Sequence, residues 1–289
     1  MNHLFCFGMG FSARSLAARL AAKGWTVTGT SRSATGAGAV AAAGFRALVF
    51  DGTTGLPASA LDGVSHVVVS APPDAAGDPV LRVCADDLIA HARDIGWLAY
   101  LSTTGVYGDR GGAWVTEDDP LTPNAERGHR RLAAETAWLA LLEQHQLPVH
   151  IFRLAGIYGP GRNQLLSVLD GTAKRIVRQG QVFSRIHVGD IATVLEASIA
   201  KPHPGRAYSV CDNEPCPPQD VVAYAAELLG QPAPPAIAFE DATLSPMARS
   251  FYADSKRVSN RRIREELGVR LAYPTYREGL AALLTSLRR

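Results

Sequence analysis

Hydrophobic and polar positions follow two alternating rhythms along the first 155 residues. Apolar runs at His3–Phe7, Trp25–Thr30, Phe45–Phe50, His66–Ser70, Leu98–Ser102 and Val149–Arg153 read as strands. Between them Ser12–Lys23, Ala34–Ala43, Pro79–Ile95 and Glu126–His145 place apolar residues three and four apart, the spacing of a helix face. Val67-Val68-Val69, apolar on consecutive positions, suits a strand covered on both sides. Strand and helix in alternation predict an α/β fold, a doubly wound parallel sheet with right-handed crossovers.

Past Arg153 the rhythm changes. Gly156, Gly159, Pro160 and Gly161 make a loop, and Lys174–Ile186 reads as short strands around Gly180. Helices are expected at Asp190–Ala200, Gln219–Leu229, Ser259–Leu267 and Thr275–Leu287, with a strand at Ala207–Cys211. The expected division is a nucleotide-binding domain over 1–155, with approximately 186–212 returning to it, and a smaller mixed substrate lobe over 156–185 and 213–289.

Gly8-Met9-Gly10-Phe11-Ser12-Ala13 follows the first strand and opens the first helix. In that setting the first glycine permits the turn, the second lets a pyrophosphate reach the backbone, and the small third residue lets helix pack on strand. Strand, turn, helix and second strand together predict a Rossmann-type dinucleotide site. An NAD site usually ends its second strand with a carboxylate for the ribose 2′-hydroxyl. Here the chain reads Thr28-Gly29-Thr30-Ser31-Arg32-Ser33. Hydroxyls and a guanidinium suit a 2′-phosphate, so NADP(H) is favoured over NAD(H). Asp51-Gly52 stands where an adenine would lie, although Asp51 equally suits a turn.

Composition narrows the class further. Of 289 residues, 47% are apolar and 19% charged, enough to bury a core. The net charge of +2 gives no reason to expect nucleic acid as a partner, and no apolar run approaches the ~20 residues of a membrane span. Cys6, Cys84, Cys211 and Cys216 lack paired metal-ligand spacing, which predicts no metal and reduced, buried thiols in a cytoplasmic protein. The basic run Lys256, Arg257, Arg261, Arg262 and Arg264 reads as a solvated face. Turned inward, it would favour an anionic substrate.

Several motifs together resemble the extended short-chain dehydrogenase/reductase family, the NAD-dependent epimerase/dehydratase-like proteins. They are the glycine turn, Ser102-Thr103-Thr104-Gly105-Val106-Tyr107-Gly108, Arg153-Leu154-Ala155-Gly156-Ile157-Tyr158-Gly159-Pro160-Gly161 and Ile186-His187-Val188-Gly189-Asp190. Glu117 with Pro120 and Pro123, and Glu265-Glu266-Leu267-Gly268, extend the likeness over nearly the whole chain. The resemblance implies cofactor contacts from Gly8, Gly10, Phe11, Ser12, Ala13, Ser31, Arg32, Asp51, Gly52, Ser70, Ala71, Pro72, Ser102, Leu154 and Gly156. It also implies a homodimer through the helices at 79–95 and 126–145.

In that family a Ser or Thr and a downstream Tyr-x-x-x-Lys perform the chemistry, the tyrosine moving a proton while nicotinamide moves a hydride. Thr103 matches the first. Arg127 falls where the tyrosine belongs and Arg131 where the lysine belongs, and no lysine exists between Lys23 and Lys174. Tyr252 and Lys256 make the chain's one Tyr-x-x-x-Lys, too late in sequence to be that pair. The chain is thus similar to the bacterial YeeZ-type branch, an atypical one. The candidate proton carriers left are Tyr107, Tyr158 and His187. Three readings follow: an NADP-dependent oxidoreductase with rearranged proton transfer, a non-catalytic NADP(H) sensor or scaffold, and a nucleotide-sugar epimerase or dehydratase. In the catalytic readings the partner is a small-molecule substrate.

Overall fold

A computed structural model of the protein describes residues 2–287; residues 1, 288 and 289 of the expected domain ranges lie outside the described residues. In chain order come β1 (His3–Phe7), α1 (Phe11–Ala22), β2 (Thr26–Ser31), α2 (Ala34–Ala42), β3 (Arg46–Val49), β4 (His66–Val69), α3 (Pro79–Ala90) and β5 (Trp97–Thr103). A short 3-10 turn at Thr104–Tyr107 leads to β6 (Trp114–Val115), α4 (Glu126–His145), β7 (Val149–Leu154), β8 (Gly156–Tyr158) and α5 (Gln164–Leu169). Then follow β9 (Arg175–Val177), β10 (Arg185–His187), α6 (Val188–Ala200), β11 (Ala207–Val210) and α7 (Pro218–Leu228). The described chain closes with β12 (Ala236–Ala238), α8 (Pro246–Phe251), β13 (Arg257–Val258), α9 (Arg261–Glu265) and α10 (Tyr276–Leu287).

Two compact units emerge: Met1–Thr103 with His129–Arg153 and Ile191–Tyr208, and Thr104–Gly128 with Leu154–Asp190 and Ser209–Arg289. The first carries a seven-stranded sheet in the order β11-β7-β5-β4-β1-β2-β3, so the fold is α/β with a central parallel sheet, as the alternating pattern predicts. Phe5, Phe7, Val67, Val69, Leu98 and Tyr100 from neighbouring strands are fully buried, and Trp138 of α4 packs into the same core. Each such side chain removed from water is worth roughly 1.5–3 kcal/mol. Asp78 caps α3 by accepting from the N–H groups of Val80 and Leu81, and its other oxygen accepts from the Trp138 indole at 3.2 Å. One carboxylate thus fixes a helix start and a core aromatic.

Around its own core of Tyr158, Leu165, Val222, Ala225, Tyr276 and Leu280, the second unit builds three small parallel pairs, β10-β8, β12-β9 and β13-β6. Two expected helices are shorter than their periodicity suggests. Pro79–Ile95 ends at Ala90: the His91 N–H still reaches the Asp87 carbonyl at 3.2 Å, but the Ala92 N–H tightens to the Ile89 carbonyl at 3.1 Å and the chain turns. Ala92 and Ile95 keep helical spacing while packing from a turn. Ser259–Leu267 shrinks to α9, and the Ser259 N–H donates to the Val115 carbonyl at the end of β6. Among the described residues no helix is long and apolar enough to cross a membrane, and all four cysteines are buried and free.

Candidate functional site

The glycine turn sits between β1 and α1 of the first unit. Gly8 has φ +86°, and a Cβ there would meet Ser70 Oγ at 3.1 Å and the Ala71 N at 3.2 Å, so only glycine fits. Its N–H donates to Thr30 Oγ1 at 2.8 Å and its carbonyl accepts from Ser70 Oγ at 2.5 Å. Gly10 is different. It caps α1 with no side-chain hydrogen bond, and its missing Cβ would touch only Ser70 Oγ, at 3.8 Å. The protein itself does not crowd that space. A helix start without a side-chain cap, beside a backbone that something can approach closely, is a ready anion site. The donor set therefore fits a dinucleotide pyrophosphate over Gly10, Phe11, Ser12 and Ala13.

At the end of β2, Ser31 is half-buried and Arg32 exposed, with no carboxylate among Thr28–Ser33. Asp51 is a turn residue: one of its oxygens accepts from the Thr53 N–H and hydroxyl and the Thr54 N–H, and these hold its carboxyl below the usual range. Gly52, at φ +82°, receives Arg82 on its carbonyl at 3.1 Å. Ala71 and Pro72 continue the loop after β4, where the Ala71 N–H returns to the Phe7 carbonyl.

Ser102 points inward. It is 4% exposed, and its hydroxyl donates to Glu135, which in turn pairs with Arg153 at 2.9 Å, all buried. Spacing gave no hint of this network, because Glu135 and Arg153 are 18 residues apart on different elements. Thr103 follows at the end of β5, half-buried. Arg131, at the lysine position that the resemblance assigns, donates to the Leu101 carbonyl at 2.6 Å and to the Tyr100 hydroxyl at 3.3 Å. It ties α4 to β5.

The remaining candidates belong to the second unit. Arg127 lies in the first turn of α4, its guanidinium stacked 3.7 Å from the centre of the exposed Phe251 ring. Burial pulls its pKa down and Asp254 pushes it back. Tyr107 is fully buried with its hydroxyl 2.7 Å from Ser209 Oγ. Tyr158 reaches the Thr275 carbonyl at 3.4 Å, and burial, reinforced by Asp212 and Asp190, drives its pKa far up. His187 is 5% exposed and packs 4.0 Å from the Tyr273 ring; burial takes it down to about 4. All three are core groups, and burial holds Tyr158 and His187 neutral near pH 7. Leu154 is buried at the end of β7, and Gly156 opens β8, where a Cβ would meet the Ser184 carbonyl at 3.3 Å.

The basic run is not a solvated face throughout. Lys256 is 8% exposed and pairs with Asp254 at 3.1 Å, and Arg262 bonds Asp118 at 2.6 Å within reach of Glu117. Carboxylates folded against these cations draw them inward, although Arg261, facing Glu265, does remain exposed. Tyr252 ends α8 as its cap and Lys256 lies beyond it, so the two do not share a helix face as Tyr-x-x-x-Lys requires. No cluster of three metal-ligating side chains occurs among the described residues.

Comparison with known proteins places these features. The model of the family described as NAD dependent epimerase/dehydratase matches residues 8–211. Protein YeeZ of Escherichia coli strain K12 is 29% identical over 289 residues, covering 95% of this chain and 97% of its own. The solved structure of a functionally unknown conserved protein from Silicibacter pomeroyi DSS is similar over 100% of both chains, with TM-score 0.92 and 53% identity. The dTDP-glucose 4,6-dehydratase of Bacillus anthracis strain Ames, in complex with NAD, superimposes with TM-score 0.78 over 100% of this chain and 97% of its own. At 18% identity that likeness is one of fold.

Proposed function

Because the chain belongs to the NAD dependent epimerase/dehydratase family, we propose that it is an oxidoreductase of that family that prefers NADP(H) and works without the tyrosine–lysine pair. The observation that carries this reading is the glycine turn, with its open Gly10 and uncapped α1, ahead of a β2 end that offers Ser31 and Arg32 in place of a carboxylate. Arg32 would hold the 2′-phosphate through several donors. The bound nicotinamide would supply the hydride chemistry. Thr103 is the hydroxyl assigned to the substrate's carbonyl oxygen. Arg127 is too basic to take over proton transfer.

One observation favours a second reading, a non-catalytic NADP(H) sensor: Tyr107, Tyr158 and His187 are all buried, and the resemblance puts Arg127 at the usual tyrosine position. A nucleotide-sugar epimerase or dehydratase is the third reading: the family match supports it, and the arginine that the resemblance puts at the tyrosine position counts against it. Dimerisation through α3 and α4 belongs to the same proposal, and sedimentation reads it directly. The catalytic reading is tested by following NADPH oxidation against a panel of aldehydes, ketones and enones. Turnover with at least one, lost by tenfold or more in Thr103→Ala while NADPH still binds, is the expected result. Tight NADPH binding with no turnover across the panel would replace this reading with the sensor.

A further inference from the structure

The second unit holds a pocket of about 480 Å³, within the range of small-molecule sites. Ile157, Leu166, Val221 and Leu280 give it apolar walls, and Arg185 and Tyr276 are among its polar lining. Arg185 projects from β10, and all its hydrogen bonds leave from Nη1: to the Phe183 carbonyl at 3.1 Å, the Cys216 carbonyl at 3.3 Å and Cys216 Sγ at 3.1 Å. Among the described residues nothing accepts from its Nε or Nη2. A guanidinium presents five donors in a planar fork, so the edge left over matches an oxyanion. Tyr276 is 1% exposed, and its hydroxyl has no hydrogen-bond partner among the described residues. A buried donor without a partner carries a desolvation cost that a ligand can recover.

The charges facing Arg185 leave it uncancelled. No carboxylate lies within ion-pair distance of it among the described residues. Asp212 acts on it from nearby, but burial pushes that carboxyl up to about 8, which keeps it protonated near neutrality. Tyr158, Tyr252 and Cys216, which also feel Arg185, are all held neutral by burial. The acidic group in the lining, Asp170, is exposed and has one oxygen committed to the Thr172 N–H and hydroxyl.

We propose that this pocket binds a small anionic molecule, its carboxylate or phosphoryl group on the free edge of Arg185, a second polar atom on the Tyr276 hydroxyl and its apolar body against the aliphatic walls. The site needs neither bound cofactor nor turnover, so it goes beyond the function proposed above.

The test titrates the full chain at pH 7 with benzoate, phenyl phosphate and neutral benzamide, by calorimetry and protein NMR. At least one anion should saturate a single site, about tenfold or more tighter than benzamide. The tighter anion identifies the headgroup as carboxylate or phosphoryl. Arg185→Gln should remove that preference, Tyr276→Phe should weaken binding by a smaller factor, and Leu166→Trp should block every probe. Benzamide binding as tightly as the anions, no probe binding at all, or anion binding that survives Leu166→Trp would each overturn the proposal. The Leu166→Trp arm decides the matter even where Arg185→Gln fails to fold. NADPH titrated in parallel separates the two readings, since cofactor binding lost with anion binding intact fails only the oxidoreductase.

Discussion

Asp212 offers the sharpest quantitative prediction. The residue is 1% exposed; its Oδ1 accepts from the Glu214 N–H at 3.1 Å, and its Oδ2 has no partner among the described residues. Burial raises its carboxyl to about 8; the Glu214 N–H and Arg185 pull the other way, and the Glu214 and Asp190 charges add to the rise. An unfolded aspartate titrates near ~3.9. A folded pKa above the unfolded one means that the associated stability is fully present below pH ~4 and is lost as pH rises towards about 8. Between pH 5 and pH 8 the ceiling on that loss is about 4 kcal/mol, and relaxation around the site brings the expected value to roughly 2 kcal/mol. Asp212→Asn keeps the Oδ1 acceptor and cannot ionise. Urea unfolding of both proteins at pH 5 and pH 8 should therefore show the variant gaining about 2 kcal/mol on the wild type between the two. Any cost of the new amide is common to both pH values and cancels. A difference between variant and wild type that is independent of pH would refute the buried, protonated carboxyl.

Other perturbations test separate parts of the structure. Glu135→Ala leaves Arg153 buried without its 2.9 Å partner and should cost about 3–5 kcal/mol in urea unfolding, more than the loss of a surface pair would. Gly8→Ala forces a side chain to φ +86° against Ser70 and Ala71 and should destabilise the fold by about 1–2 kcal/mol. Gly10→Ala has no such clash, so its melting temperature should stay near wild type while NADPH affinity falls tenfold or more. Equal NADPH affinity in that variant would mean the backbone at Gly10 is not approached by the cofactor.

Much of the sheet could be read directly because burial on both faces writes itself into the sequence. Val67-Val68-Val69 and the run Trp97–Leu101 have no polar interruption, and both are central strands. The helix α4 keeps the bounds Glu126–His145 because its apolar stripe is continuous. The second unit was harder. Its strands span two or three residues, too few to establish a period, and α5 and α8, of six residues each, give fewer than two turns. The glycine turn was legible because its glycines answer to backbone geometry, and Gly8 shows that geometry. Side-chain roles were not. A tyrosine at 107 or a histidine at 187 looks the same in sequence whether it faces a ligand or a core, and only tertiary packing buries both. Lys256 and Arg262 read as surface charges because their partners, Asp254 and Asp118, do not lie at helical spacing from them. The Glu135–Arg153 pair that receives Ser102 joins three elements and leaves no local pattern at all.

The proposed oxidoreductase needs a nicotinamide dinucleotide on the β1–α1 turn, with its 2′-phosphate at the end of β2. Titrating the purified protein with NADPH, NADP, NADH and NAD, followed by nicotinamide and tryptophan fluorescence, tests it most directly. The phosphorylated pair should bind more tightly, with the preference abolished in Arg32→Ala and the affinity for NADH unchanged. Equal affinity for both pairs, or a preference that survives Arg32→Ala, would contradict the 2′-phosphate assignment. Binding of none of the four would contradict the site itself.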